Sequence, residues 1–193
     1  MRGILWGWTL MGVGYIQDLL LVCSRLLEYP TQGFRQELEE YHQAIEGYEP
    51  SDETKDLLEF FKAVEAKTDE ELCAAYVQTF DFGKKTNLYI TYAELGEERE
   101  RGPALLELKQ NYAKAGYFLL DDNELSDYLP VMLEFCSMAN PELIKQTVAK
   151  YLSAIIVVRD ELLKVESPYT HILSAAIVLL QELGVGAMEK GVN

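Results

Sequence analysis

YVQTFDFGKKTNLYITYAELGEERERGPALLELKQNY, residues 76–112, sets two helical segments about a polar, aromatic connection. Leu72, Tyr76 and Phe80 enter it four residues apart, the spacing of one helical face. A polar, aromatic connection follows, and a charged run from Glu97 to Arg101 stops at Gly102-Pro103. With Pro103 near its first turn and Gly116 close to its far end, the next segment reads as a helix from Leu105 to Tyr117. Only Leu88–Tyr92 has strand character, and it is too short and isolated to build a sheet.

Working outward, the same helical periodicity recurs. Ile16, Leu19, Leu20, Cys23, Leu26 and Leu27 mark a helix from Tyr15 to Glu28 that Pro30 ends. Phe34, Leu38, Tyr41 and Ile45 mark a second. Ser51-Asp52-Glu53 opens a third, with Leu57, Leu58, Phe61 and Val64 as its buried face. Thr68 and Glu71 form a capping box for the helix that leads into the central stretch. Downstream, Asp121-Asp122-Asn123 reads as a polar turn and Ser126-Asp127 as the cap of a helix carrying Leu129, Leu133 and Cys136. Pro130 is tolerated there because it falls in the first turn. Asn140-Pro141 starts a long helix through Leu162, and Ser167-Pro168 starts the last, which Gly184 stops. The expectation is an all-α, single-domain bundle of about eight helices over residues 15–187. Residues 1–14 form an extension expected to be disordered, and 188–193 a tail.

Composition narrows the function. Seventeen basic against 32 acidic residues give a net charge of −15, which argues against nucleic acid or an anionic lipid surface as main partner. Cys23, Cys73 and Cys136 are odd in number and never at CxxC spacing. They read as free thiols of a reducing compartment, here the cytoplasm. Residues 1–16 carry one Arg and then an uncharged run, resembling a weak export signal, but the run ends at Asp18 and four glycines spoil it as a helix. A disordered or loosely docked extension is the preferred reading.

Catalytic signatures are wanting. Glu39-x-x-His42 has the spacing of a di-iron helix motif, which needs a second such pair and two further glutamates. His171, on an apolar helix, reads as structural. No G-x-S-x-G elbow, Walker loop or dinucleotide fingerprint occurs. The aromatics Tyr76, Phe80, Phe82, Tyr89, Tyr92 and Tyr112 are more telling. They fit either a core or a groove for a partner helix, since tyrosine offers apolar area with a polar tip. Arg99 and Arg101 either make surface ion pairs or fix the connection by donating to backbone carbonyls.

Tyr76-x-x-x-Phe80-Asp81, Asn87-Leu88-Tyr89, Thr91-Tyr92 and the run from Gly96 through Leu105 closely resemble the NarJ branch of the TorD/DmsD/NarJ family of redox-enzyme maturation chaperones. The likeness continues through Tyr112, Gly116, Glu124-Leu125, Asp127-Tyr128-Leu129-Pro130 and Leu133-Glu134-Phe135, and covers roughly residues 15–183. The resemblance implies a TorD-like helical chaperone that is not an enzyme and keeps no cofactor or metal. Its implied partner is the immature catalytic subunit of respiratory nitrate reductase. That subunit would be bound in the cytoplasm through its N-terminal segment and kept competent for molybdenum cofactor insertion before membrane attachment.

A maturation chaperone for a different molybdoenzyme, or a small helical metal protein or enzyme, are the alternatives, and a homodimer is left open. The positions matching the family pattern are Tyr76, Phe80, Leu88, Tyr89, Arg99, Tyr112, Asp127 and Glu134, the candidates for binding the client peptide or forming its groove. Tyr128 joins them as a departure. TorD- and DmsD-like sequences carry Asp-His there, a pair implicated in peptide recognition, whereas this chain has Asp127-Tyr128.

Overall fold

Helix boundaries follow local chemistry in a computed structural model that describes residues 13–31, 33–83, 85–95, 100–119 and 124–186. The chain forms α1 (Val13–Leu26), α2 (Phe34–Glu46), α3 (Asp52–Val64) and α4 (Asp69–Tyr76). α4 runs on into a π-helical turn, Val77–Asp81. Then come α5 (Ile90–Leu95), α6 (Arg101–Lys114), α7 (Leu129–Met138) and α8 (Pro141–Val148). A 3-10 turn at Ala149–Tyr151 joins α8 to α9 (Leu152–Lys164), and α10 (Tyr169–Glu182) ends the fold. The fold is all-α among the described residues, as the periodicity predicts.

The caps are made as the sequence suggests at three places. The Thr68 hydroxyl accepts from the Glu71 amide at 3.2 Å while the Glu71 carboxylate takes the Thr68 amide at 2.9 Å. Ser51 and Thr54 close a reciprocal box on α3. Asn140 accepts from the Leu143 amide at 3.0 Å, ahead of Pro141 at the first helical position. Each satisfies amides that a helix start leaves without partners.

Packing centres on α1, α7 and α10. α1 lies along α7, and α10 lies against α3, α9 and α1. Leu19, Leu20, Cys23 and Leu26 of α1, Leu129 and Cys136 of α7, and Ala175 and Ala176 of α10 are all buried to within 1%. Side-chain to backbone bonds at both ends pin α1 to α7. Ser24 Oγ donates to the Pro130 carbonyl at 2.8 Å, and Gln17 Nε2 donates to the Ala139 carbonyl at 2.7 Å. These bonds set the register of the pair, so the start of α7 stays beside the end of α1. That juxtaposition builds the site.

Three local expectations are corrected, and that of strand character without a sheet at Leu88–Tyr92 holds among the described residues. Ser126-Asp127 does not cap α7: Tyr128 holds the cap position without a side-chain bond, because Ser126 and Asp127 are committed elsewhere. The long helix after Asn140 is broken by the 3-10 turn, where Tyr151 is buried. Leu88–Tyr92 contributes one antiparallel bridge, Tyr89 to Tyr128, before turning into α5. On α3 the buried aromatic beside Phe61 is Phe60, and Leu58 is only partly covered. No helix among the described residues is long and apolar enough to cross a membrane. Residues 1–12 and 187–193, and the polar turn at Asp121-Asp122-Asn123, lie outside the described residues.

Candidate functional site: an acidic, aromatic cleft

The central stretch reaches the rest of the molecule through a two-rung backbone bridge. The Ile90 amide donates to the Asp127 carbonyl at 3.0 Å, and the Leu129 amide donates to the Leu88 carbonyl at 2.8 Å. Beneath it lies Asp127, fully buried. Its Oδ2 accepts from the Thr91 amide at 3.2 Å, from the Thr91 hydroxyl at 2.5 Å and from Arg101 Nη2 at 3.3 Å. Arg101 Nε also donates to Thr91 Oγ1 at 3.2 Å, and its guanidinium sits 5.6 Å from the Tyr92 ring centre. Arg101 therefore ties the start of α6 to Thr91 and Asp127 through side chains rather than through carbonyls, and its charge neutralises a buried carboxylate. Arg99 lies outside the described residues.

On the other side of this bridge, Tyr128 opens onto a cleft of about 320 Å³ lined by Glu28, Tyr29, Glu124, Tyr128, Pro130, Val131 and Glu134. The end of α1 forms one wall, and the segment before α7 with its first two turns forms the other. Tyr128 packs against Tyr89 with ring centres 5.2 Å apart. Its hydroxyl lies 2.9 Å from that of Tyr76, and the Tyr76 hydroxyl donates to the Leu27 carbonyl at 3.0 Å. Tyr29, 48% exposed, meets the Tyr76 ring edge to face at 5.5 Å. Burial pushes the Tyr128 phenol up to about 12, so it stays neutral at ordinary pH.

The acidic wall is cross-braced. Arg25 donates to Glu28 Oε1 at 2.5 Å and to Glu134 Oε1 at 2.6 Å, while the Tyr117 hydroxyl donates to Glu134 Oε2 at 2.8 Å. Burial raises the Glu28 carboxyl above its ordinary value, with Arg25 pulling the other way. Burial alone would lower Arg25, but Glu28 and Glu134 more than offset it and hold the guanidinium charged. Three carboxylates thus surround an aromatic and aliphatic floor. Such a surface favours an apolar segment that also carries positive charge.

The candidate positions within the described residues divide into two groups. Tyr128 and Glu134 line the cleft, with Tyr76 directly beneath and Tyr89 alongside. Phe80, Leu88, Tyr112 and Asp127 are buried and shape the cleft from behind. Phe80 packs 4.8 Å from Tyr76, and the Tyr112 hydroxyl donates to the Ser126 carbonyl at 2.7 Å, holding the strand-like approach to Tyr128. Glu28, Tyr29 and Val131 are the cleft residues that the sequence did not disclose. Glu28-Tyr29-Pro30 looks only like a helix end until α7 is laid beside it. Glu124 and Pro130 lay within the matched run but carried no mark of a role.

The metal reading of Glu39 and His42 finds no support in the packing. His42 stacks on Phe61 at 5.0 Å and faces Glu46 at 3.7 Å. Among the described residues no three His, Cys, Asp or Glu side chains converge as a metal cage would require. His171 Nδ1 lies 2.9 Å from Asp56 and joins α10 to α3.

Comparison with known proteins shows the family. Residues 31–172 match the family described as nitrate reductase delta subunit. The chain belongs to that family, the NarJ-type assembly chaperones. It is similar to the nitrate reductase molybdenum cofactor assembly chaperone NarJ of Bacillus subtilis, 40% identical over 87% of this chain and 91% of that one. NarJ of Escherichia coli is 33% identical over 60% of this chain and 50% of its own length. In fold it is similar to a crystal structure described as a redox enzyme maturation protein from Archaeoglobus fulgidus. The TM-score is 0.61 at 23% identity, covering 93% of this chain and 99% of that one. Members of this family are assembly chaperones, not catalysts.

Proposed function

We propose that this chain is the assembly chaperone of a nitrate reductase, and that it holds the immature catalytic subunit by its N-terminal segment. The cleft between α1 and α7 receives that segment, and Tyr128, Tyr89, Tyr76 and Glu134 are the candidate positions that act there. Phe80, Leu88, Tyr112 and Asp127 keep the cleft in shape. Bound this way in the cytoplasm, the subunit remains competent for molybdenum cofactor insertion and is kept from membrane attachment until it is loaded.

The observation that carries this reading is the composition of the cleft. Glu28, Glu124 and Glu134 rim a floor made by Tyr29, Tyr128, Pro130 and Val131. An amphipathic segment that becomes helical on binding would lay its apolar face on the floor and bring basic side chains to the rim. The net charge of −15 adds long-range attraction for a basic segment and discourages acidic ones.

Isothermal titration with a synthetic peptide of the first ~20 residues of the cognate catalytic subunit, long enough for a helix of ~30 Å, tests it. The expected dissociation constant is micromolar or tighter, about −8 kcal/mol. Absence of heat at high micromolar peptide, with the helical circular dichroism of the chaperone intact, would overturn the reading.

A further inference from the structure

A hydroxyl carries one proton, and at Tyr76 that proton is spoken for. The Leu27 carbonyl, 3.0 Å away, can only accept, so Tyr76 is the donor in that bond. The Tyr128 hydroxyl lies 2.9 Å from the same oxygen. With the Tyr76 proton committed to Leu27, the bond between the two phenols is made with the proton of Tyr128. The relay has one direction: Tyr128 donates to Tyr76, and Tyr76 donates to the backbone at the end of α1. Tyr128 has no proton left to offer the cleft. Its oxygen keeps acceptor capacity only.

The neighbours of Tyr128 share that polarity. Glu28, Glu124 and Glu134, which line the same cleft, are acceptors when ionised. Arg25, which braces this wall, has turned one Nη to Glu28 and the other to Glu134. Of the remaining lining, Pro130 and Val131 bring apolar side chains, and Tyr29 brings a half-exposed phenol whose ring packs edge to face with Tyr76.

We propose that Tyr128 is a specificity-determining residue of the cleft: locked as an acceptor by Tyr76, it takes an N–H donor from a basic side chain of the bound segment. A guanidinium or ammonium group satisfies it. A carboxylate at the same point would meet a lone pair backed by three negative rim residues. Tyr128 thus contributes selection by hydrogen-bond direction, where the glutamates contribute selection by charge. The inference rests on the reading of the cleft as the site of the client segment.

The two contributions separate in a double-mutant cycle. Tyr128→Phe keeps the ring against Tyr89 and leaves the Tyr76–Leu27 bond in place. The N-terminal peptide of the cognate catalytic subunit and variants with each Lys or Arg replaced singly by norleucine are titrated against wild type and Tyr128→Phe. The native peptide is expected to bind Tyr128→Phe about tenfold more weakly than wild type, as for a hydrogen bond to a charged donor. One norleucine peptide should show that loss already with wild type and lose nothing more with Tyr128→Phe. Losses of equal size for all peptides, or no loss for any, would overturn the role of Tyr128 while leaving the client reading standing.

Tyr76→Phe supplies a second arm. It frees the Tyr128 proton to turn toward the cleft, so discrimination between the native peptide and one with Glu at the identified position should narrow about tenfold. Unchanged discrimination in Tyr76→Phe would also overturn the role. If the native peptide fails to bind wild type at all, the client reading itself falls, and the role of Tyr128 with it.

Discussion

Thr91 gives both of its donors to one oxygen of Asp127, the amide at 3.2 Å and the hydroxyl at 2.5 Å. Arg101 closes the arrangement by donating to the Thr91 hydroxyl oxygen and to the same carboxylate oxygen. Three segments distant in sequence are joined by this knot: the start of α5, the start of α6 and the approach to α7. Removing the acid should hurt most, because Asp127→Ala strands a buried hydroxyl and a partly buried guanidinium together. A loss of about 3–5 kcal/mol is expected. Thr91→Val should cost about 1–3 kcal/mol. Urea denaturation midpoints at unchanged slope would rank them, and the reverse order would mean that the carboxylate is dispensable.

Where the physics is local, the sequence disclosed it. The Thr68 and Glu71 box spans three residues and was visible as letters, as was the face of Leu72 and Tyr76. Asp127 shows the opposite case. Next to Ser126 and ahead of an apolar run it has every local mark of a helix cap, yet its carboxylate serves Thr91, 36 residues away. A local cap and a tertiary partner compete for the same carboxylate oxygens, and periodicity cannot say which wins. The cleft was hidden for the same reason. Glu28 and Tyr29 meet Tyr128 and Glu134 because α1 lies along α7, a register that Ser24, Gln17 and Arg25 help to fix. The 3-10 break after Val148 had no Gly or Pro to announce it. Burial of Tyr151 is its visible correlate, and nothing in the residues shows more.

Buried phenols make the fold sensitive to alkali. Burial pushes Tyr41 and Tyr128 up to about 12 and raises Tyr76, Tyr112, Tyr117 and Tyr169 as well. The unfolded chain ionises its tyrosines near pH ~10. Between that pH and the folded values, the unfolded state has lost protons that the native state keeps, so stability falls as pH rises. Below pH ~10 both states are protonated and these groups leave stability unchanged. Absorbance at 295 nm should therefore rise in two stages, exposed tyrosines first and the buried set together with loss of helical dichroism. Complete ionisation near pH ~10 with the dichroism unchanged would refute this.

Gly83 has a steric reason to be glycine. It follows the π-helical turn that carries Phe80, where the Phe82 amide reaches the Val77 carbonyl at 3.2 Å. The Thr86 hydroxyl then folds back to donate to the Thr79 carbonyl. A Cβ on residue 83 would fall well inside contact distance of both the Thr86 hydroxyl and the Thr79 carbonyl. Gly83→Ala should break that bond and shift Phe80 and Tyr76, costing about 1–3 kcal/mol as overpacking does. Because Tyr76 supports the cleft, client-peptide affinity should drop too. A melting temperature and affinity both equal to wild type would show that the turn can open without consequence.

Glu134 is the rim residue on which charge and structure can be separated most cleanly. One oxygen accepts from Arg25 and the other from Tyr117, at the boundary between α1 and α7. Glu134→Gln keeps a carbonyl oxygen for one of these donors and removes the charge. Arg25 retains Glu28 at 2.5 Å, so the stability cost should stay below about 1 kcal/mol, typical for a partly exposed pair. Peptide binding should respond differently. At low salt the variant should bind several-fold more weakly, because a basic segment has lost part of its attraction. Raising the salt shrinks the screening length from about 10 Å at 0.1 M to about 3 Å at 1 M, and the two proteins should converge. Titrations at three ionic strengths distinguish the cases: a difference that persists undiminished at 1 M would assign Glu134 to packing and remove it from the recognition rim.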